Sequence, residues 1–429
     1  MIKSDTQGQF LFKESIKTAA GSVLYEQHLK RTEKKRIAEF AGYLMPLWFD
    51  SISAEHSAVR ESAGLFDCTH MGILEFKGDD AQNFLNTITT NDTGRLKVGA
   101  AQYSYILDAA GNVLDDIIIY RRREDKFMVV VNAANELKIK AYLKALQNNE
   151  AIIDIEEPAR KLEYKPVIRD MRDCSSGTDC RVDIALQGPA SMELLLPMIK
   201  SDEAKRQLRN LKPFNLIENE LDGINCIISR TGYTGARIGY ELFVHPGKAA
   251  EIWALLLERG GPSGVVPCGL GARDSLRIEA GLPLYGHELA GEFNIGPFEA
   301  GYGWAVKLEK DFFIGKTAMR RKSEDCDMQV ARIELPGQKG IRPARQHDGI
   351  LDESGICTGW VLSCAKVKEK QIALAYISKE IVQENRQIGL YYLARSESQI
   401  EKGREEKVEK NQKLETDISG IIVTRFAKF

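Results

Sequence analysis

The chain has 429 residues, which is more than one ordinary domain of roughly 100 to 200 residues, so we expect two or three domains. Hydrophobic residues make up 43% and charged residues 28% of the sequence. These fractions are typical of globular proteins and exclude a disordered chain or a fibrous rod. Because 59 Lys and Arg stand against 61 Asp and Glu, we expect no broad basic surface for nucleic acid or anionic lipid.

The sequence also gives expectations about the compartment and the cysteines. No apolar run approaches the roughly 18 residues that span a membrane, and the N-terminal stretch carries acids and amides where a signal peptide is apolar. We therefore expect a cytoplasmic protein. Cys174 and Cys180 could close a small loop by a disulfide or supply half a metal site. We expect neither, because no second Cys or His pair lies at zinc-ligand spacing.

Taken in chain order, the periodicity of apolar residues predicts an α+β fold. A helix begins near Tyr25, and a second helix runs from a cap at Ser51 or Ser53 to a left-handed stop at Gly64. The strand Ile73–Phe76 precedes a helix with one apolar stripe, and an antiparallel meander covered by a further helix follows. The predicted strands of the meander are Gln102–Leu107, Val113–Tyr120 and Lys126–Val131. Antiparallel-sheet lobes with flanking helices are therefore expected rather than a doubly wound parallel sheet.

The second half of the sequence predicts more strands, one helix and then an all-β module. The helix begins near Gly271 and ends at Gly281, after the strands Val182–Leu186, Ile224–Arg230 and Tyr240–Val244. Beyond Lys322, short apolar runs predict a β-barrel or jelly-roll-like module with the strands Val330–Leu335, Gly359–Ser363, Ile372–Ile377, Gly389–Ala394 and Ile418–Val423. Nearly every residue of 396–417 is polar or charged, which predicts a solvated loop. The predicted domains are 25–320 and 325–429, the second with a charged insertion at 396–417.

The strand after the turn-forming stretch DAAGN carries an acidic pair, Asp115 and Asp116, among apolar residues. Carboxylates are depleted in strands. Strand periodicity turns the two acids to opposite faces, with Leu114, Ile118 and Tyr120 on the face of Asp116. Two interpretations stay open: a ligand-binding acid in a pocket wall, or an acid that begins the strand at an exposed turn.

Tyrosines and an amide share the face of Asp116. Depending on the turn centre, either Tyr103 or Tyr105 lies directly opposite Asp116, and Asn132 has the matching parity after the next strand. Tyrosines stack on a flat heteroaromatic ligand, and a carboxylate accepts hydrogen bonds from its ring NH groups. This face is therefore a candidate wall for such a ligand.

Two later stretches carry further candidates. In RTGYTGARIGYE, Gly232 and Gly235 allow close backbone approach, and Glu241 enters the next strand. A dinucleotide or P-loop site is excluded because neither GxGxxG after a strand nor the full P-loop pattern GxxxxGK[ST] occurs, and a plain glycine-rich turn is the alternative. Arg273, near the start of its predicted helix, is placed to hold a carboxylate. A solvated or ion-paired arginine is the alternative there.

Metal and hydrolase chemistry lack support in the sequence. The six histidines are scattered singly, without HExxH or paired-His spacing. The serine-nucleophile elbow GxSxG is absent. We therefore expect no metal site.

Several stretches together resemble the aminomethyltransferase of the glycine cleavage system, the T-protein family. They are AEFAGYLMPLWF, ESAGLFDCTHMG, FLNTITTND, GNVLDD, ALQGP, RTGYTG, GLGARDSLRIEAGLPLYGHE and GWAVKLEKDFFIGK. They occur in the family's order from roughly Tyr25 to Lys316, and a weaker resemblance reaches the C-terminal end. The resemblance implies a three-domain cloverleaf with tetrahydrofolate near its centre. It also implies the lipoyl arm of the glycine cleavage H-protein as aminomethyl donor, and methylenetetrahydrofolate and ammonia as products.

The resemblance also implies roles for particular residues. Asp116, the second acid of LDD, matches the family's catalytic aspartate. Glu241 matches the glutamate that binds the pterin, and Arg273 matches the arginine that holds the folate tail. The full set of matched folate-site positions is Tyr103, Tyr120, Asn132, Tyr233, Glu241, Arg273 and Trp304.

Some stretches depart from the family pattern. The acidic dipeptide usual after GYTG is replaced by Ala236-Arg237-Ile238, and the C-terminal TSG with its Ser-Pro stretch is replaced by LSCAKVKEK. Two rival functions share the folate half: a folate-dependent demethylase of a methylated amine or sulfonium compound, and a folate-binding protein without enzymatic activity. RTGYTG, an intact Asp116 and the absence of a KGCYxGQE-type motif favour the enzyme over the binding protein.

Overall fold

The computed structural model describes residues 3–4, 8–13 and 18–425. They form two compact units. The first comprises the described residues up to Arg273 together with Trp304–Arg320, and the second comprises Asp274–Gly303 and the described chain from Arg321 onward. The domain limits 25–320 and 325–429 stay a prediction.

The helices that the sequence predicts lie close to their expected positions, and the described residues form further helices that it does not predict, such as Asp202–Asn210 and Pro246–Gly260. Ser51 caps one helix, since its side chain accepts a hydrogen bond from the Ala54 amide at 3.2 Å. The α-helices are Tyr25–Leu29, Ile52–Glu61, Ala81–Ile88, Glu136–Gln147, Ser191–Leu195, Asp202–Asn210, Pro246–Gly260, Leu270–Ala280, Lys316–Glu324 and Glu397–Ile400. Gly281 ends the Leu270–Ala280 helix at a φ of 70°, as predicted.

The predicted stop at Gly64 is wrong. The helix ends at Glu61, and Gly64 lies inside the strand Ala63–Asp67. A Cβ atom at this position would lie 2.5 Å from both Cys268 Sγ and Val59 Cγ2. Glycine is needed here for close packing rather than for a left-handed backbone.

In the first unit, a five-stranded antiparallel sheet carries the acidic hairpin. Its strands, in spatial order, are Val167–Asp170, Gly72–Lys77, Lys126–Val131, Val113–Arg123 and Ala101–Leu107. One face packs against the helices Ala81–Ile88 and Glu136–Gln147 through side chains such as Phe84, Ile117 and Ile139. This face buries the apolar stripe that the sequence predicts on each helix.

A six-stranded sheet packs against the other face of the five-stranded sheet. Its strands, in spatial order, are Leu216–Leu221, Ile224–Ser229, Gly239–Val244, Val182–Gln187, Ala63–Asp67 and Val265–Cys268, and only the last pair is parallel. Ile227 and Phe243 of this sheet join Tyr120, Met128 and Val130 of the five-stranded sheet in one buried cluster. The facing surfaces of the two sheets are where the acidic strand meets Gly239–Val244.

Two small sheets complete the strands of the first unit. A two-stranded sheet joins Lys3–Ser4 to Phe10–Leu11, and a three-stranded sheet joins Ala20–Gly21, Tyr43–Pro46 and Ile37–Phe40. Both are formed by the N-terminal part of the chain.

In the second unit, six strands close into an antiparallel barrel. In spatial order they are Met328–Pro336, Lys370–Ser378, Cys357–Val367, Gly349–Leu351, Gln387–Tyr391 and Ile418–Val423. Gly349–Leu351 was not predicted, because three apolar residues are too short a run to register as a strand. The barrel and the antiparallel sheets with flanking helices confirm the predicted α+β class.

The segment 396–417 is a mostly exposed loop, as predicted, with the short helix Glu397–Ile400 and a few ordering contacts that the sequence does not predict. Arg404 forms a two-point salt bridge with Asp417, at 2.6 and 2.7 Å. Val408 is only 6% exposed, and its carbonyl accepts a hydrogen bond from Trp360 Nε1 at 2.8 Å. The cluster around Val408 also includes Leu414. A few apolar residues of the segment are therefore enough to dock it, because the barrel supplies the rest of the buried surface.

Candidate active site

The acidic hairpin places Asp116 against two tyrosines. In the register of the hairpin, Tyr105 is opposite Asp116 and Tyr103 is opposite Ile118. Tyr103 nevertheless reaches along the strand, and its hydroxyl donates to Asp116 Oδ2 at 3.0 Å. The rings of Tyr103 and Tyr105 meet edge to face, with centroids 5.1 Å apart. Both tyrosines that the turn alternatives allowed are thus beside the acid.

Asn132 holds the second oxygen of Asp116. Its Nδ2 atom donates to Asp116 Oδ1 at 2.8 Å and to the Asp116 carbonyl at 3.1 Å. Asn132 directly follows the strand Lys126–Val131, which pairs with the acidic strand. Both oxygens of Asp116 therefore accept a hydrogen bond from a neighbouring strand or its end.

The surroundings of Asp116 shift its protonation toward neutral pH. Burial raises the pKa of Asp116 to about 6, and the hydrogen bonds from Tyr103 and Asn132 oppose that rise. Burial, and then the negative charge of Asp116, raise the pKa of Tyr103 well above its usual range. Tyr103 therefore acts as a hydrogen-bond donor throughout the physiological range.

Glu241 lies on the facing sheet and is bound by Tyr120. The Tyr120 hydroxyl donates to Glu241 Oε2 at 2.8 Å, and Thr231 donates a short hydrogen bond to the same oxygen. No residue in the described part of the chain donates to the other oxygen, Oε1. Glu241 thus presents one acceptor oxygen beyond its own network.

Arg273 lies near Glu241 without an anionic partner. Its Nη1 atom donates to Cys68 Sγ at 3.4 Å, and its guanidinium lies 5.0 Å from the centre of the Tyr233 ring. Within residues 3–4, 8–13 and 18–425 it forms no ion pair, although Glu241 and Asp183 contribute to its electrostatic environment. A guanidinium in this setting is suited to an external carboxylate.

Trp304 is the exposed aromatic residue of the group. Its side chain is 54% exposed, and its ring centroid lies 6.0 Å from that of Tyr103. The structure therefore arranges the candidates as two groups: Asp116, Tyr103, Asn132 and Trp304 around the acidic strand, and Tyr120, Glu241, Tyr233 and Arg273 where that strand meets the facing sheet. Asp116 and Tyr120 connect the groups, because they lie four residues apart on one strand, or about 13 Å.

The comparisons with known proteins agree with this arrangement. Residues 24–310 match the family model described as the GCVT N-terminal domain, and the chain is 39% identical over 363 residues to the aminomethyltransferase of Desulfitobacterium hafniense strain Y51, covering 84% of this chain and 90% of the relative. The chain belongs to the aminomethyltransferase family. The predicted resemblance to the glycine cleavage T-protein is thereby confirmed, and with it the assignment as a transferase enzyme.

Other members of the aminomethyltransferase family match over similar lengths. The aminomethyltransferase of Symbiobacterium thermophilum is 38% identical over 361 residues, which cover 82% of this chain and 88% of the relative. The crystal structure of glycine cleavage system aminomethyltransferase T from Bartonella henselae superposes with a TM-score of 0.74 at 27% identity. That match covers 95% of this chain and 98% of the other. The similarity thus extends over the barrel as well as the first unit.

Gly232 in RTGYTG, a family motif, and Gly239 shortly after it serve packing. Gln187, from the ALQGP motif, donates through Nε2 to the Thr231 carbonyl at 3.1 Å and accepts from Thr234 Oγ1 at 2.9 Å. A Cβ atom at Gly232 or Gly239 would lie 2.0 or 2.6 Å from Gln187 Oε1. The two motifs therefore form one buried contact that fixes the loop before Glu241.

Three residues at the site were not predicted as functional. Tyr105 is the alternative to Tyr103 in the predicted hairpin, strand parity turns Asp115 to the opposite face, and no predicted role attaches to Asp183. Asp183 lies in the strand Val182–Gln187, 2% exposed, and its Oδ1 atom has no hydrogen-bond partner among the described residues. The signal that identified the hairpin, an acid inside an apolar strand, also occurs in VDIAL and would have found it.

Within the described residues, no group of three or more His, Cys, Asp or Glu side chains is arranged to hold a metal ion. No helix in the same part of the chain combines the length and apolar character required to cross a membrane.

Proposed function

We propose that this chain is the tetrahydrofolate-dependent aminomethyltransferase of a glycine cleavage system. It transfers the carbon of the aminomethyl group from the lipoyl arm of the H-protein to tetrahydrofolate. The C–N bond breaks with release of ammonia, the C–S bond breaks and leaves the arm as its dihydrolipoyl thiol, and two new C–N bonds give methylenetetrahydrofolate. The observation that supports this proposal most strongly is the hairpin. There Tyr103 and Asn132 donate hydrogen bonds to Asp116, at the position that matches the family's catalytic aspartate.

The side chains around Asp116 fit a folate molecule. The unengaged Oε1 of Glu241 can accept from the amino and ring NH groups of a pterin, and the unpaired Arg273 can bind a carboxylate of the glutamate tail. Trp304 and Tyr103 offer aromatic surface between these ends. Tetrahydrofolate is therefore assigned to Tyr103, Tyr120, Asn132, Tyr233, Glu241, Arg273 and Trp304.

The role of Asp116 follows from charge and orientation. Tetrahydrofolate supplies the nitrogen nucleophile that accepts the one-carbon unit. Positive charge develops as ammonia leaves, and a fixed carboxylate in a buried setting stabilises that charge without reorganising. Tyr103 and Asn132 keep the carboxylate oriented, so Asp116 contributes by position as well as by charge.

The test is turnover with H-protein bearing the aminomethylated lipoyl arm. Asp116→Asn should lower kcat on the order of a hundredfold or more, because the isosteric amide carries no negative charge. The Kd for tetrahydrofolate should change little. Asp125→Asn, at an exposed turn position of the same sheet, is the control and should keep wild-type turnover.

Ammonia release by the wild-type protein distinguishes the H-protein from the other candidate donors. If it binds tetrahydrofolate but releases no ammonia from the H-protein, the donor assignment is wrong. Methylated amines and sulfonium compounds, the substrates of the rival demethylase, are then the donors to test.

A further inference from the structure

Asp115, the neighbour of the proposed catalytic residue, is fully buried and held by three amide donors. Its Oδ1 atom accepts from Asn132 Nδ2 at 2.8 Å and from Asn135 Nδ2 at 2.6 Å, and its Oδ2 atom accepts from the Asn132 backbone amide at 3.0 Å. The side chain is 0% exposed. A carboxyl group is costly to bury, so a plain structural position in this core would be better filled by an apolar residue.

The amide of Asn132 connects the two carboxyl groups. Its Nδ2 atom donates to Asp115 Oδ1 at 2.8 Å and to Asp116 Oδ1 at 2.8 Å. Since Asp115 also accepts from the Asn132 backbone amide, it fixes both ends of this residue. Any rotation of the Asn132 side chain that loosens one carboxyl therefore loosens the other.

The two carboxyl groups also interact electrostatically. Burial, and then the negative charge of Asp116, raise the pKa of Asp115, and burial raises the pKa of Asp116. The titratable groups that face the pair are Tyr103 and Tyr105 on the adjacent edge strand. The described segment 126–135 on the other side contributes the Asn132 and Asn135 amides. The pair is therefore expected to titrate as a unit.

We propose that Asp115 is a positioning residue which, through the shared amide of Asn132, sets the orientation and the charge of the Asp116 carboxylate. The inference rests on the proposed function, because it takes Asp116 as the reacting carboxylate. Asp115 itself points to the helix-covered face of the sheet with Ile117 and Ile119 and does not line the ligand face.

The kinetic test uses Asp115→Asn in the full chain with H-protein and tetrahydrofolate. The amide keeps the shape and one acceptor oxygen but removes the charge. We expect kcat to fall roughly tenfold and the Kd for tetrahydrofolate to stay within about threefold. The acid limb of the kcat profile should move toward lower pH, because no second carboxyl shares the proton.

A milder variant distinguishes a loss of turnover from a folding defect. Asn135→Ala removes one donor to Asp115 and keeps both carboxyl groups and Asn132. It should lower kcat a few-fold at unchanged Kd for tetrahydrofolate, with a melting temperature within a few degrees of wild type. Thermal unfolding of both variants is measured alongside.

A second arm needs no turnover. Aspartate carboxyl carbons are labelled with ¹³C, the Asp116 signal is assigned by its loss in Asp116→Asn, and its pH titration is followed by NMR. We expect the midpoint of Asp116 to move to lower pH in Asp115→Asn. If the wild type releases no ammonia, the proposed function fails, and this titration still decides whether the carboxyl groups are coupled.

Three results would overturn the inference. A loss of tetrahydrofolate affinity that matches the loss of kcat would place Asp115 in the ligand site instead. An unchanged acid limb together with an unchanged Asp116 midpoint would show no electrostatic coupling. Wild-type kcat in both variants would show that Asp116 does not depend on its neighbour.

Discussion

At the scale of single residues, Glu241 is a carboxylate with only one of its two oxygens hydrogen-bonded within the described protein. Tyr120 and Thr231 both donate to Oε2, which leaves Oε1 for the proposed folate ligand. Glu241→Gln should weaken tetrahydrofolate binding roughly ten- to hundredfold, because charge-assisted hydrogen bonds to NH donors are worth about 1.5–3 kcal/mol. Equilibrium binding measures this loss, and Glu220→Gln, exposed on the same sheet, is the control. Equal affinities in the two variants would remove Glu241 from the site.

Asp183 should destabilise the fold as pH rises. Burial, and then the charge of Glu241, raise the pKa of Asp183 well above its usual range, so the folded state binds a proton that the unfolded state releases near pH 4. Stability from this group is therefore present in acid and lost as pH rises toward the folded-state pKa. Asp183→Leu should raise stability by about 1–3 kcal/mol at pH 8 and by less at pH 5.

Thermal unfolding of the wild type and of Asp183→Leu at pH 5 and pH 8 measures this gain in stability. Asp125→Leu, at an exposed position, should show no gain that grows with pH. A gain for Asp183→Leu that is the same at both pH values would mean that the Asp183 carboxyl does not titrate differently in the folded state.

At the scale of elements, the acidic hairpin shows what strand periodicity can and cannot predict. The common face of Asp116, Ile118 and Tyr120 is confirmed, since Ile118 and Tyr120 lie in the cluster between the sheets. Leu114 is the exception: it packs in the helix-covered core because the register shifts between Ile106 and Leu107. A bulge adds a residue to one strand, so that the side chains next to it change from one face of the sheet to the other. No residue type in the sequence predicts where the bulge lies.

The insertion at 396–417 gives a test of docking on the barrel. Val408→Asp should lower the melting temperature by several degrees, because it buries a carboxylate beside Trp360 and Leu414. Lys407→Asp places the same side chain at the exposed neighbouring position and should change little. Differential scanning calorimetry compares them, and equal melting temperatures would mean that the segment is not docked in solution.

At the scale of the whole molecule, local signals predict the elements, and contacts distant in sequence complete the site. Apolar periodicity predicts the meander and its helices, and the resemblance to the family motifs is the basis on which Asp116 and Glu241 are proposed as site residues. The hydrogen bond from Tyr120 to Glu241 spans 121 residues of sequence and depends on how two sheets pack. Neither that bond nor the shared amide of Asn132 follows from spacing, because both depend on tertiary geometry.

Ammonia release by the intact chain tests the proposed function most directly. Purified protein is incubated with tetrahydrofolate and H-protein bearing the aminomethylated lipoyl arm, and ammonia and methylenetetrahydrofolate are followed together. We predict that the wild type forms ammonia and methylenetetrahydrofolate in equal amounts, and that Asp125→Asn does so at the wild-type rate. Asp116→Asn should form both products on the order of a hundredfold more slowly. Wild-type turnover by Asp116→Asn with tetrahydrofolate still bound would contradict the central role of Asp116.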